Sequence, residues 1–354
     1  MTPRERVIAV LIGGQPDRVP FTWKMPYERR GHIERELRND GMALIWRCEV
    51  VNVERPNVEV IRHEYRDHGQ PRVRETFCTP TGKISQVWAI GGGYGSQTRH
   101  EHLVRSPDDY EVVEFIIRDE VYTSNDTAYR RAHQVMGDDG FVFGGWMPPS
   151  PIMVMLWEWL GPMQFSMHLV DHPELFERLY ELLLDRQIEQ YRIAAQSSAL
   201  VIHAEENLTA DMLGRERFER YCMPAYEAFA NVLHKHGKLL AEHFDGELKP
   251  IADLIGRSAV DIVEAFTPAP DTKLELSDAL HAWSDKITWI NFPSSVHLMP
   301  VGRVEEHTRH LLQQSAPSDR FLIGVTEDIP EGAWDISMPA IHRVVKEEGG
   351  LPIQ

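Results

Sequence analysis

The chain of 354 residues has few cysteines, no long hydrophobic run and no stretch rich in lysine or arginine. Its cysteines, Cys48, Cys78 and Cys222, form no C-x-x-C pair, which argues against a disulfide framework or a cysteine-rich metal site. No segment stays apolar for the roughly 18 residues that a membrane helix needs. The opening residues 1–14 have neither a long apolar core nor a small-residue cleavage site, so they do not form a signal peptide. These absences predict a cytoplasmic protein that has no membrane partner.

Charge of one sign dominates the composition. Lys and Arg number 37 against 54 Asp and Glu, which gives a formal net charge of −17. A nucleic acid or an anionic membrane would be repelled by such a chain. We therefore expect a small-molecule substrate and exclude nucleic acid as a partner.

The first part of the chain predicts a helix, a strand and a hairpin. Thr2 and Glu5 have the spacing of a capping box, with a proline between them at the first helical position. Residues 17–23 have the composition of a first strand. The β-rich segment 73–90 carries Pro, Thr and Gly at 80–82, which predicts a hairpin that turns there.

Beyond Ser106, short apolar strands alternate with amphipathic helical patterns. The predicted strands are 141–144, 199–202, 238–241, 261–263, 287–290 and 321–324. Such alternation indicates a parallel sheet, because parallel strands need crossover helices. A doubly wound sheet should carry a glycine-rich turn after its first strand, and none is present. The sequence therefore predicts one (β/α)8-barrel domain over 1–354, with 1–105 as an N-terminal elaboration that includes the first strand and the hairpin, and 106–354 as the main barrel.

Polar residues follow almost every predicted strand. They include His203, Glu205, Glu206, Asn207, Glu242, His243, Asp245, Glu264, Asn291 and Glu327. In a barrel these positions meet on one rim, where an active site is built. Several carboxylates around one cavity repel one another unless a cation or shared protons offset them. A divalent metal is an economical way to do so.

His243 and Asp245 form the sharpest local pattern. Residues i and i+2 at a strand end point to the same side, so both can address one ion. A histidine nitrogen with carboxylate oxygens suits zinc or a harder first-row metal. Glu327 is the third candidate ligand, although Glu327 and Asp328 could instead cap the following helix. The alternative for His243 is that it donates to Asp245 or to a backbone carbonyl and orders the loop.

Several segments resemble one family. They are 1–21, 75–85, 106–117, 150–162 and 234–255. On these segments the chain resembles the uroporphyrinogen decarboxylase superfamily, and the resemblance covers nearly the whole chain. It implies a (β/α)8 barrel and one of two activities: cofactor-free decarboxylation of tetrapyrroles, or metal-dependent methyl transfer together with a corrinoid protein.

Two departures from the family patterns separate these activities. The decarboxylase branch carries M-R-Q-A-G-R-Y near its amino end, whereas this chain has Arg29 and Arg30 at a different spacing and an intruding Glu28. The methyltransferase branch holds zinc on His-x-Cys and a distant Cys. Here Asp245 replaces the first of those cysteines and Glu327 lies near the second. Carboxylates make a harder metal centre, which is better matched to an oxygen donor than to a thiolate.

The resemblance and these departures imply a methyltransferase of the O-demethylase type, which passes a methyl group from a methoxylated aromatic to a corrinoid (cobalamin) carried by a partner protein. Zinc would be held by His243, Asp245 and Glu327. We expect Glu205, Glu206 or Glu264 to protonate the leaving oxygen. The substrate would be oriented by Asn207 and Asn291 against the aromatic wall of Trp146.

Two other functions remain open from the sequence. One is a lyase or decarboxylase that acts on a small aromatic or carboxylic acid and needs no corrinoid. The other is a non-catalytic binding protein on the same fold, since fold alone does not establish activity. A homodimer is a further option for the assembly.

Overall fold

The computed structural model describes residues 1–25, 27, 29–91, 97–317 and 319–353. Pro26 and Glu28, which belong to the segment compared with the decarboxylase signature, lie outside the described residues. None of the helices formed by the described residues combines the length and the apolar character needed to cross a membrane.

Fourteen strands are formed by the described residues. In chain order they are β1 (Phe21–Lys24), β2 (Ala43–Glu49), β3 (Val51–Glu54), β4 (Glu59–Asp67), β5 (Gln70–Thr79), β6 (Gly82–Ile90), β7 (Gln97–Glu101), β8 (Val121–Ser124), β9 (Gly140–Met147), β10 (Val201–Ala204), β11 (Leu239–His243), β12 (Ile262–Phe266), β13 (Ile287–Asn291) and β14 (Phe321–Val325).

Helices connect most of these strands. They are α1 (Pro3–Leu11), α2 (His32–Asn39), α3 (Asp109–Arg118), α4 (Asp126–Met136), α5 (Pro151–Met153), α6 (Gly161–Asp171), α7 (Pro173–Ala194), α8 (Ala210–Leu213), α9 (Arg215–Arg217), α10 (Met223–His234), α11 (Ala252–Arg257), α12 (Leu276–Ala282), α13 (Ser294–His297), α14 (Val301–Ser315) and α15 (Trp334–Glu348). Short π-helical stretches cover Val154–Leu160 and Phe218–Cys222.

Eight of the strands close a parallel barrel in the order β1-β14-β13-β12-β11-β10-β9-β2. The ring closes where Phe21 pairs with Ile323 and Thr22 with Gly324. The predicted (β/α)8 barrel is therefore confirmed. Two barrel strands, β1 and β2, come from the first 105 residues, and β2 was not predicted from the sequence.

The interior of the barrel is apolar over most of its depth. Its residues come from alternate positions of the strands, because successive side chains of a strand point to opposite faces. The cluster includes Ala43, Ile45, Phe141, Phe143, Val201, Ala241, Ile262, Ile287, Trp289 and Leu322. Two positions further along several of these strands, the inward side chains become polar.

The chain divides into two compact units. The barrel unit comprises 1–50, 125–147 and 194–354, and the second unit comprises 51–124 and 148–193. The second unit contains the two-stranded sheet β3-β8 and the antiparallel sheet β4-β5-β6-β7. Within the latter, Thr79 pairs with Gly82, so the predicted hairpin turn is confirmed. The capping box of Thr2 and Glu5 on α1 is also present.

Candidate active site

A layer of charged side chains lies above the apolar interior, at the carboxyl ends of the barrel strands. Arg47, His203, His243 and Glu264 stand on β2, β10, β11 and β12, each two positions beyond an inward apolar residue. All four are buried. The carboxyl ends of barrel strands are where enzymes of this fold place their active sites. We call these four residues the polar layer.

One carboxylate oxygen organises the polar layer. The Oε2 atom of Glu264 lies 2.6 Å from Nδ1 of His243, 2.9 Å from Nη2 of Arg47 and 3.0 Å from Nε2 of His203. Three donors can therefore converge on a single ionised acceptor. Burial would raise the pKa of Glu264, but the Arg47 charge and the two histidines hold it well below its ordinary value. Glu264 is an anion in this arrangement.

Arg47 is the internal cation of the site. Besides Glu264 it pairs through Nη1 with Oε1 of Glu205. Burial opposes ionisation of Glu205, but electrostatic interactions with His203, Arg47 and Lys24 lower its pKa overall. The strand-end carboxylates are thus offset by a guanidinium that belongs to the chain itself. A buried ion pair needs such multiple hydrogen bonds to offset its desolvation.

The two histidines differ in protonation. Burial and the Arg47 charge lower the pKa of His203 to about 4, so His203 is neutral near pH 7. Its Nε2 faces Glu264, and its Nδ1 has no hydrogen-bond partner among the described residues. Burial would also lower the pKa of His243, but Glu264 and Asp245 raise it to about 9. Without a bound ion His243 is therefore a cation near pH 7, and it has to lose its proton before it can act as a metal ligand.

Three of these side chains form a group that can hold a metal ion. One ligand atom each of His203, His243 and Glu264 lies within 4.8 Å of the other two. Two histidines and one carboxylate, with a further position open, are the ligand set of catalytic zinc sites. Arg47 Nη2 lies 2.9 Å from both His243 Nδ1 and Glu264 Oε2. An ion bound there would take over part of the charge compensation that Arg47 provides.

Lys24, at the end of β1, adds a further buried cation. Its Nζ makes no hydrogen bond or ion pair within the described ranges, and lies 5.5 Å from the centre of the Tyr27 ring. Burial and the Arg47 charge lower its pKa, while Glu205, Glu264 and Asp245 act in the opposite direction. Lys24 therefore carries donor groups that the fold itself does not use.

Asp245 and Glu327, the other metal ligands expected from the sequence, are not members of this group. Asp245 is half-exposed, with Oδ2 3.7 Å from Nε2 of His243. Glu327 is exposed and bonds to Asn291 Nδ2 at 3.3 Å and to the hydroxyl of Ser294. Asn291 also donates to Thr267 and accepts from the backbone of Thr326. The amide of Asn291 thus holds neighbouring loops together.

Glu206, just beyond the end of β10, lies against the helix layer. It is buried, and its Oε1 accepts a hydrogen bond of 2.7 Å from the hydroxyl of Tyr226 on α10. Glu242, next to His243, is also buried and both of its carboxyl oxygens lack a hydrogen-bond partner among the described residues. Burial and the neighbouring Glu206 raise the pKa of Glu242 well above its ordinary value. These two glutamates face the helix layer and do not enter the barrel mouth.

Strained backbone occurs near or just beyond the carboxyl ends of three barrel strands. Trp146, Asn207 and Ala265 have φ values of 61°, 45° and 62°. Such conformations are costly for residues other than glycine and concentrate at functional sites. The indole N–H of Trp146 donates to the carbonyl of Arg47 at 3.1 Å, while the backbone N–H of Asn207 donates to the carbonyl of His243. Trp146 and Asn207, two of the three predicted substrate-binding residues, therefore adjoin the polar layer.

Sequence reasoning missed Arg47, Lys24 and the role of His203. His203 directly follows an apolar strand, so its position carried the same signal as that of His243. Arg47 could have been found from the alternation of Ala43, Ile45 and Arg47, which puts all three on one face of a strand.

Comparisons with known proteins agree with the barrel fold. A solved structure, a methyltransferase from Methanosarcina mazei, is similar to the chain at 14% identity and a TM-score of 0.60, over 98% of this chain and 99% of that one. A structure described as a putative vitamin-B12 independent methionine synthase from Listeria monocytogenes is similar at 11% identity over 71% and 72% of the two chains; its TM-score of 0.34 carries no argument. A comparison with curated protein sequences returns no match. The model of the uroporphyrinogen decarboxylase (URO-D) family matches residues 92–333, which is more than half of the chain. The chain belongs to the uroporphyrinogen decarboxylase family.

Proposed function

We propose that this chain is a metal-dependent methyltransferase of the O-demethylase type, which moves a methyl group from a methoxylated aromatic to a corrinoid on a partner protein. The observation that carries the proposal is the group of His203, His243 and Glu264 at the rim of the barrel. It replaces His243, Asp245 and Glu327 as the ligand set that we propose. A divalent metal held there, most simply zinc, would act as a Lewis acid on an ether oxygen.

The chain's own residues have distinct tasks in this proposal. Glu264 and Glu205 are ionised, and Glu206 faces the helix layer, so none of the three is placed to give a proton to a leaving oxygen. The ammonium group of Lys24, at the end of β1, makes no hydrogen bond to the described residues. Its lowered pKa favours proton donation. We assign protonation of the leaving phenolate to Lys24. Trp146, half of whose surface is exposed, lies against the aromatic ring of the substrate.

A nucleophile has to come from outside the chain. A methyl ether releases its oxygen poorly, and carboxylates with two histidines do not supply a strong nucleophile for carbon. Cys222 is buried beside Glu206, 3.9 Å from its Oε1, and therefore does not reach the rim. When bound, a reduced corrinoid supplies the nucleophile that accepts the methyl group.

Metal analysis tests the ligand set. The purified protein should bind about one divalent ion per chain, and His203→Ala, His243→Ala and Glu264→Gln should each lose most of it while they remain folded. Asp245→Asn and Glu327→Gln are the matched controls and should retain the ion. If these two variants lose the metal and His203→Ala retains it, the ligands are His243, Asp245 and Glu327, as expected from the sequence. That result would contradict the ligand set proposed here.

The reaction itself separates this proposal from its alternative. The protein is incubated with a panel of methoxylated aromatics and a source of cob(I)alamin, and the products are measured. Methylcobalamin and the free phenol should form together, and no phenol should form without cob(I)alamin. Phenol release that does not require cob(I)alamin would contradict the corrinoid step.

A lyase that acts on a small aromatic or carboxylic acid is the second candidate. The buried cations Arg47 and Lys24 favour it, because both could bind a substrate carboxylate. In the same incubation, release of carbon dioxide or water from the substrate without corrinoid would support the lyase and exclude the methyltransferase.

A further inference from the structure

The strand β4 is an exposed edge of the second unit. It spans nine residues at one end of the sheet β4-β5-β6-β7, and only its inner edge is paired, with β5. The described residues place no strand on its outer edge. Its side chains are largely exposed, including Val60 at 45% and Ile61 at 48%. A long, open edge with apolar side chains is a template for pairing with another chain, and proteins normally cover or shorten it.

Two antiparallel copies of β4, whose sequence is EVIRHEYRD, can place complementary side chains opposite each other. Two antiparallel copies related by a two-fold axis at His63 place Arg62 opposite Glu64 and Ile61 opposite Tyr65. Each pair occurs twice, because the two-fold axis repeats every contact. Opposite charges, and an aromatic against a β-branched residue, are favourable cross-strand pairs. All nine residues of the strand find a partner in this register.

Neighbouring symmetric registers lose these contacts. A two-fold axis at Glu64 shortens the ladder and sets Arg62 opposite Arg66. An axis at Arg62 shortens it as well and sets the two copies of Arg62 opposite each other. The register centred on His63 sets Val60 opposite Arg66, and its one like-charge pair, Glu59 opposite Asp67, lies at the solvated ends of the ladder, where repulsion is most easily screened. Charges on an edge strand usually discourage pairing, but here they select one register.

We infer that β4 pairs with β4 of a second copy of this chain, antiparallel about His63, and joins two four-stranded sheets into one. The opposing side chains are available for this. Arg62 is 73% exposed while it pairs with Glu75 of β5 through one Nη atom, and its guanidinium has further N–H groups. The partner is thus a second copy, and the surface is independent of the proposed catalytic function.

Charge exchange across the two-fold axis tests the register. Glu64→Arg sets Arg62 opposite an arginine twice and should raise the dimer dissociation constant by about tenfold. Arg62→Glu should weaken the dimer likewise, and the double variant Arg62→Glu with Glu64→Arg should restore it, as measured by analytical ultracentrifugation. The melting temperature of each variant shows whether it is folded. A wild-type protein that is monomeric at all concentrations, or a dimer that ignores both single exchanges, would overturn the inference.

A disulfide at the axis tests the same contact without altering a charge pair. In the variant His63→Cys the two facing residues have Cα atoms about 4.5 to 5.5 Å apart, which is within the range a disulfide spans. Oxidation should give a covalent dimer that a reducing agent splits. Asp67→Cys, displaced from its counterpart by almost the full length of the strand and paired with Gln70 on β5, and the wild-type chain are the controls. Equal crosslinking of Asp67→Cys and His63→Cys, or none in His63→Cys, would exclude this register.

Discussion

The surroundings of Glu242 oppose ionisation of its carboxyl group. Its carboxyl group is buried without a hydrogen-bond partner among the described residues, and Glu206 lies close enough to oppose its ionisation. Tyr226 and Cys222 of the adjoining helical segment face the same region through their contacts with Glu206. Burial and the Glu206 charge act on the pKa of Glu242 in the same direction. The neutral acid is therefore the form that the folded protein accommodates.

The raised pKa of Glu242 predicts that the free energy of unfolding falls as the pH rises. Because the folded-state pKa of Glu242 is raised, its contribution is complete below the ordinary value of 4.5 and is lost as the pH rises through the folded value. Glu242→Gln keeps a neutral side chain of the same shape and should flatten the decline in the free energy of unfolding as the pH rises above 4.5.

Denaturant titrations across that pH range measure the effect. Glu216→Gln, an exposed glutamate on α9, is the control and should follow the wild-type curve. If Glu242→Gln declines with pH as steeply as the wild type, Glu242 is not held neutral.

At the scale of the element, the glycines of β9 determine how closely β2 and Arg47 can pack against it. Gly145 pairs with Glu49 of β2, and a Cβ added at Gly145 would lie 2.7 Å from Cβ of Arg47. At Gly140 an added Cβ would overlap the carbonyl oxygen of Leu44. Because these glycines of β9 have no Cβ, β2 and Arg47 can pack close to β9.

Gly145→Ala should therefore disturb Arg47 and the carboxylates it holds. We expect the free energy of unfolding to fall by about 1–3 kcal/mol, because the added methyl group forces a backbone or side-chain shift in a packed region. Gly302→Ala in α14 meets nothing within 4 Å and should be neutral or stabilising by up to about 1 kcal/mol. Urea denaturation of the two variants gives the comparison, and an unchanged Gly145→Ala would show that Arg47 tolerates displacement.

The elements differ in how far the sequence predicted them. The strands β9 to β14 were predicted because each is a short apolar run between helical patterns. β2 was missed because ALIWRCE carries Arg47 and Glu49 in a strand whose inward face changes from apolar to charged along its length. Adjacent Glu205 and Glu206 looked equivalent in the sequence, because only the folded chain brings one to Arg47 and the other to Tyr226.

At the scale of the whole molecule, the charges do not suit a substrate with many carboxylates. The net charge is −17. Arg29 Nη2 pairs with Asp328 Oδ1 at 2.8 Å, and Arg30 Nη1 lies 3.3 Å from Glu34 Oε1. The two arginines found where the decarboxylase branch carries its signature are thus already engaged by carboxylates of this chain.

We therefore expect no decarboxylation of uroporphyrinogen III, despite the family to which the chain belongs. An assay of carbon dioxide release, with a true uroporphyrinogen decarboxylase as the positive control, gives the answer. Turnover at about 1 per second or faster would be typical of an enzyme on its own substrate and would contradict this expectation.

The closing pair of the barrel has a consequence for how the protein is made. Phe21 of β1 pairs with Ile323 of β14. The first barrel strand to be synthesised therefore cannot complete its pairing until the last strand has been made. Contacts so distant in sequence form slowly, and until they form both β1 and β13 present open edges. The second unit ends at residue 193 and can assemble while the rest is still being translated. A nascent chain stopped before β14 should consequently bind chaperones, and release from them should coincide with synthesis of the final strand.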